Sequence, residues 1–134
     1  KLNKNLKREL LRPTKIYSKE IIKLAEKNLI NAAAHITGGG LIDNLIRSIP
    51  KNLCANIDLS KIKIKKIFKW IKKNDVSEKE MIKTFNCGVG FCLIVPKYNV
   101  QKIKKYFTKS FMPYEIGYIS KNNKKFKLIN SLQW

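Results

Sequence analysis

A chain of 134 residues, 44% hydrophobic and 10% aromatic, has the size of one domain and enough apolar matter for a core, which excludes a disordered tail or a disulfide-stapled mini-protein. Lysine and arginine number 29 against nine acidic residues, a net charge of +20, yet no apolar run approaches the roughly 20 residues of a membrane span and no signal-peptide pattern opens the chain. Cys54, Cys87 and Cys92 are odd in number and form no C-x-x-C pair, so a reducing compartment with free thiols is expected, without a zinc knuckle.

In chain order, residues 1–14 are polar, contain Pro13 and read as a linker or arm leading into a domain over 15–134. Ser18 is the expected N-cap of a helix over 19–29 with Ile21, Ile22, Ala25 and Leu29 turned inward. Ile30 to Thr37 reads as a buried strand. Three glycines, 38 to 40, then open a helix over 41–49 that Pro50 stops. Leu53 to Leu59 alternates weakly as a strand. Lys61 to Lys73 carries the clearest helical period, with Ile64, Ile67, Phe68 and Ile71 on its inner face. Ser77 and Glu80 spell a capping box for a helix through Thr84. The apolar run Val89–Val95 is the expected central strand. Asn99 is placed to cap a helix carrying Val100, Ile103 and Phe107, and 114–119 and 125–129 are expected to close the fold as strands. Strands and helices mixed without a strict repeat predict an α+β domain with a largely mixed sheet.

The positive charge does not form a stripe. Every basic residue except Arg8, Arg12 and Arg47 is lysine, and the stretch 35–50 is net neutral, with Asp43 balancing Arg47. Abundant Lys, Ile and Asn together point to A/T-rich codons dressing the solvent faces. A basic nucleic-acid-binding module is the second reading, because phosphate neutralisation is favoured by such charge. Against it, the glycine-rich centre is the least basic part, and lysine is a weaker base reader than arginine.

Two segments carry possible chemistry. In Ala34-His35-Ile36-Thr37-Gly38-Gly39-Gly40 a strand runs through glycines into a helix, where backbone N–H groups can face an anion. A tight turn needing positive φ explains the same glycines. His35, the sole histidine, stands two residues before Thr37 and can reach the same site or sit satisfied in a core. Asn44 and Arg47 lie one turn apart on the following helix and suit either a ligand or a solvated face. In Phe85-Asn86-Cys87-Gly88-Val89-Gly90-Phe91, Asn86 can orient a ligand and Gly88 and Gly90 mark close backbone approach. Cys87 reads as a small buried residue or, with a base nearby, a nucleophile. No paired carboxylates or metal-ligand spacing accompany them.

LLRPTKIYSK (10–19), AHITGGGLIDNLIRSIP (34–50) and KTFNCGVGFCLIVP (83–96) resemble the C-terminal half of the aminoimidazole ribonucleotide synthetase family, the phosphoribosylformylglycinamidine cyclo-ligases, and YEIGYI (114–119) is similar to that family's last core strand. The resemblance implies a three-layer α+β domain, partly ferredoxin-like, that follows an ATP-binding N-terminal domain absent from this sequence. It implies a cytoplasmic homodimer of purine synthesis that uses ATP and Mg²⁺ to close the imidazole ring of formylglycinamidine ribonucleotide, releasing ADP and phosphate. Carried over by motif, His35 and Asn44 become catalytic candidates, and Thr37, Gly38, Gly39, Gly40, Asn86 and Gly88 candidate contacts for substrate or phosphate. Metal ligands are expected in the other half, so this chain alone should be inactive. Sister enzymes of the same fold, such as the glutamine-dependent formylglycinamidine synthetase, selenophosphate synthetase and thiamine-monophosphate kinase, fit FNCGVG followed by LIVP less well.

Overall fold

The computed structural model describes residues 4–134. Helices α1 (Lys4–Leu10) and α2 (Ser18–Glu26) precede strand β1 (Ala32–His35), helix α3 (Gly40–Ile46) and strand β2 (Leu53–Asp58). Helices α4 (Lys66–Lys72) and α5 (Glu78–Thr84) lead to strand β3 (Phe91–Ile94), and helix α6 (Val100–Lys104) to strands β4 (Gly117–Lys121) and β5 (Phe126–Ile129). The class is α+β, as expected, and the three-stranded sheet is mixed: β2 lies between antiparallel β4 and parallel β5. A second sheet pairs β1 antiparallel with β3, placing Ala32 opposite Ile94 and His35 opposite Phe91. The segment read as a linker or arm holds α1, which has no buried residue and rests against α4; residues 1–3 of that segment lie outside the described residues.

The main core gathers Leu41 and Leu45 of α3, Ala55 and Ile57 of β2, Met81 and Ile82 of α5, Ile36, Ile62 and Leu132. A smaller core holds Leu24, Leu29 and Ile103, with Leu93, Val95 and Phe107 packed against it. Burying each of the leucine, isoleucine and methionine side chains among them contributes about 1.5–3 kcal/mol.

Strand β3 is not central, contrary to the expectation from its unbroken apolar run. Among the described residues it has a single neighbour, β1. The run is explained by two-sided burial, because Cys92 and Ile94 face the main core while Leu93 and Val95 face the smaller one. Residues of a strand alternate between faces, so a strand between two cores is apolar at every position. The central strand is β2, whose polar Asn56 weakened its pattern. Asn56 is buried, and its Nδ2 donates to the Ser120 hydroxyl at 2.9 Å.

Four local expectations are also corrected. Helix α2 begins at Ser18 itself and has no side-chain cap; Leu24 is fully buried while Ile22 is 55% exposed, because Leu29 and Ile103 select the other face. Of Lys61–Lys73 only Lys66–Lys72 is α-helical. Ile62 enters the core from extended backbone, and the Lys63 N–H donates to the Tyr114 hydroxyl at 3.3 Å, a tertiary contact that local periodicity does not encode. Asn99 does not cap α6; it is buried and its Nδ2 donates to the Leu29 carbonyl at 3.2 Å, tying α6 to the segment after α2. The capping box is half made: Ser77 Oγ accepts from the Glu80 N–H at 3.1 Å, but the Glu80 carboxylate accepts from the Thr84 hydroxyl at 2.6 Å.

Candidate functional site

The antiparallel register of β1 and β3 brings the two glycine motifs to one end of the small sheet. Strand β1 leaves that end at His35 and runs into Thr37–Gly40, while β3 enters it at Phe91 from Asn86–Gly90. The Ile36 N–H donates to the Gly90 carbonyl at 3.0 Å, joining the motifs directly.

The first turn is shaped by Gly39 and Gly40, at φ +89° and +62°, with the Gly40 N–H bonded to the Thr37 carbonyl at 3.2 Å. A Cβ on Gly40 would stand 2.0 Å from the Ile82 carbonyl oxygen, so only glycine lets α3 pack against α5 here. Asn44, 7% exposed, directs its amide at the turn itself: Nδ2 donates to the carbonyls of Gly40 at 2.7 Å and Gly38 at 3.1 Å, and approaches that of Thr37 at 3.5 Å. The Thr37 hydroxyl donates to Asn44 Oδ1 at 3.4 Å. Thr37 and Gly38 are exposed, and the Cβ direction of Gly38 meets open space. Asp43 lies beside Gly39: a Cβ there would be 3.1 Å from its carboxylate oxygen. An anion settling on the turn therefore meets open backbone at Gly38 and a negative charge nearer Gly39.

The second turn is closed by Asn86, whose Oδ1 accepts from the Gly88 N–H at 3.0 Å and whose carbonyl accepts from the Val89 N–H at 2.8 Å. Gly88, at φ +110°, sits against the Lys63 carbonyl. Cys87 is buried. Its thiol donates to the Met81 carbonyl at 3.5 Å, and burial, with Glu78 nearby, pushes its pKa up to about 11. A thiol so held is protonated at neutral pH, which fits a small buried residue and not a nucleophile.

His35 is exposed and lies among rings. It stacks on Phe91 with centroids 5.7 Å apart at 23°, and Tyr17 meets its edge at 5.9 Å and 62°. Tyr17 also packs on Phe91 at 5.2 Å and on Phe111 at 5.9 Å, and Lys15 Nζ stands 4.7 Å over the Phe111 ring. Partial burial raises the phenol pKa of Tyr17. Sequence reasoning missed Tyr17, Phe91 and Phe111 as neighbours of His35. Tyr17 does fall within LLRPTKIYSK, but nothing in local spacing joins it to a histidine 18 positions away. The structure thus gathers Thr37, Gly38, Gly39, Gly40 and Asn44 into one stapled turn, sets Asn86 and Gly88 in a second turn at the same sheet end, and leaves Arg47 exposed at the far end of α3. Among the described residues no three His, Cys, Asp or Glu side chains gather into a metal-binding group.

The sequence profile of the family described as AIR synthase related protein, C-terminal domain, matches residues 1–129. A phosphoribosylformylglycinamidine cyclo-ligase of Fusobacterium nucleatum is 45% identical over 116 residues, covering 85% of this chain and 34% of that protein. One of Streptococcus pneumoniae is 41% identical over 127 residues, covering 94% of this chain and 37% of that protein. The chain spans about a third of the length of the curated relatives it matches.

Proposed function

The chain belongs to the family of AIR synthase related proteins, C-terminal domain, and from that membership we propose that it is the C-terminal part of a phosphoribosylformylglycinamidine cyclo-ligase. In this reading it forms one wall of a cleft completed by an N-terminal ATP-binding domain. ATP supplies a phosphoryl group to the formyl amide oxygen of formylglycinamidine ribonucleotide. The amidine nitrogen then attacks the activated carbon, the imidazole ring closes, and phosphate leaves; ADP is the other product. Magnesium and its ligands belong to the other domain in this reading, and no step is assigned to a metal here. The parent is a cytoplasmic homodimer of purine synthesis. Among the described residues no helix is long and apolar enough to cross a membrane.

The observation that carries this reading is the convergence of AHITGGG and FNCGVG at one sheet end, in a chain over 40% identical to two cyclo-ligases across most of its length. Exposed backbone at Thr37 and Gly38 receives the phosphate side of the substrate. Asn44 holds that turn in shape from inside, which makes it a positioning residue. The exposed imidazole of His35 exchanges the proton released when the amidine nitrogen closes the ring. Asn86 and Gly88 shape the neighbouring turn.

The test is ADP release dependent on formylglycinamidine ribonucleotide, measured with this chain alone and with the complete gene product. Release by the complete product only is expected. His35→Ala should lower its turnover at least about 100-fold, the ordinary worth of a proton-transfer group. Substrate-independent release, or none from either protein, overturns the reading.

A further inference from the structure

His35 is an exposed side chain whose direction matters to the proposed chemistry, yet among the described residues no hydrogen bond or ion pair reaches its imidazole. What fixes it is π-packing. Phe91, its cross-strand partner in the β1–β3 register, lies under one face, and Tyr17 closes on its edge. Tyr17 comes from outside the sheet, at the N-terminus of α2, and is itself wedged between Phe91 and Phe111. The wedge exists because position 90 has no side chain: a Cβ on Gly90 would stand 2.1 Å from the Tyr17 hydroxyl oxygen and 3.1 Å from the carbon bearing it. Backbone sterics do not require that glycine, since Gly90 is not among the positive-φ residues. Its missing Cβ is what admits the phenol.

We infer that Tyr17 is a positioning residue for His35, seated through the gap at Gly90, and that the two act as one unit at the cleft. Its bearing on catalysis rests on the cyclo-ligase reading; its bearing on the imidazole does not. The geometry makes the ring the working part of Tyr17, because ring and not hydroxyl meets His35. Phenylalanine should therefore replace it and leucine should not. Alanine at position 90 should act like loss of the ring, because the new methyl group collides with the far end of a side chain that can swing away while the Ile36–Gly90 backbone bond stays in place.

Since His35 is the only histidine, its imidazole carbon-bound protons give one unambiguous set of NMR signals in the full chain. Tyr17→Leu and Gly90→Ala should both displace those signals, by loss of the tyrosine ring current and of a single ring orientation, while Tyr17→Phe leaves them near their original positions. Dispersed amide spectra establish that the variants are folded; should Tyr17→Leu unfold, Gly90→Ala against Tyr17→Phe decides. Unmoved signals in a folded Gly90→Ala or Tyr17→Leu variant overturn the inference. In the complete gene product, Tyr17→Leu and Gly90→Ala should lower kcat about tenfold with KM within about twofold, Tyr17→Phe should restore kcat, and adding Tyr17→Leu to His35→Ala should cost nothing more, as for residues acting as a unit. Full additivity of that pair also overturns it. If instead His35→Ala leaves turnover unchanged while the NMR signals move as described, His35's place in the reaction fails and the positioning by Tyr17 stands.

Discussion

Asn44 shows how a single buried amide can define a loop that has little else to hold it. Three carbonyls of the turn face its Nδ2 and the Thr37 hydroxyl faces its Oδ1. Removing the amide takes the donor from the buried bond to the Gly40 carbonyl and from the part-buried ones at Gly38 and Thr37, which costs about 1–3 kcal/mol. Asn44→Ala should therefore lower unfolding free energy by that amount in a urea titration, with the slope unchanged, and Asn44→Asp should cost at least as much because a carboxylate offers no donor. A midpoint equal to the parent's would show that the turn keeps its shape without the staple. A second residue-scale device sits at the end of β2. Asp58 Oδ1 accepts from the Ser60 hydroxyl at 2.6 Å and from Asn130 Nδ2 at 2.9 Å, and these bonds, first that of Ser60 and then that of Asn130, hold its carboxyl below the usual aspartate range. A depressed folded pKa means the stabilisation is present above the unfolded value of about 3.9 and is lost as pH falls through the folded one. Asp58→Asn should thus be less stable than the parent at neutral pH, with the gap closing in acid; a gap independent of pH would place the effect elsewhere.

Among elements, the contact between α3 and α5 places the first glycine turn. The Gly40 backbone lies against the Ile82 carbonyl with no room for a methyl group and at positive φ. Gly40→Ala combines backbone strain with a steric collision, each of order 1–3 kcal/mol. Its expected loss in thermal or urea unfolding therefore exceeds that of Gly38→Ala, whose Cβ direction is open. Equal losses at the two positions would show that α3 slides away from α5 without penalty. The same scale explains what could be read from residues alone. Glycines before a periodic run carry their meaning locally, so the start of α3 was legible, as was the cap at Ser77, although α3 ends at Ile46 in turns rather than running to Ile49 before Pro50. Which face of α2 turns inward, where α4 begins and which strand lies in the middle are all decided by distant partners. Ile103 selects Leu24, Tyr114 reaches the Lys63 backbone, and two separate cores make β3 apolar on both sides. At the site, motifs marked the turns and His35, and Asn44 bonds only to the neighbouring turn, but the approach of Tyr17 depends on tertiary packing.

For the molecule as a whole, charge is the dominant surface property. At +20 the chain is strongly self-repelling, and the described residues show one ion pair, Arg12 with Glu9 at 3.6 Å, both within reach of water. Such repulsion between exposed lysines is screened over about 10 Å at 0.1 M salt. Melting temperature should therefore rise as sodium chloride goes from about 0.01 to 0.5 M, and most of the gain should arrive by the concentration at which the screening length falls below lysine spacing. A flat or falling curve would mean that the lysines are spaced too widely to repel. The aromatic group around His35 is held by ring-on-ring packing, with Lys15 over the Phe111 ring, so salt should leave that packing unchanged.

Strand β2 also has a consequence for the order in which the chain is made. Asn56 finds Tyr118 across the sheet 62 residues later, and its other neighbour, β5, comes later still. When residues 53–58 leave the ribosome, neither strand that will flank them has been synthesised, and both of their edges are open. The α3 turn and its staple are local and can form at once, whereas the mixed sheet must wait on long loop closures that slow folding. A chain stopped near residue 116 would expose an apolar strand with two free edges, a template for pairing with other copies. Released early, such a product should aggregate, while its glycine turn and histidine motif would already be present in the sequence.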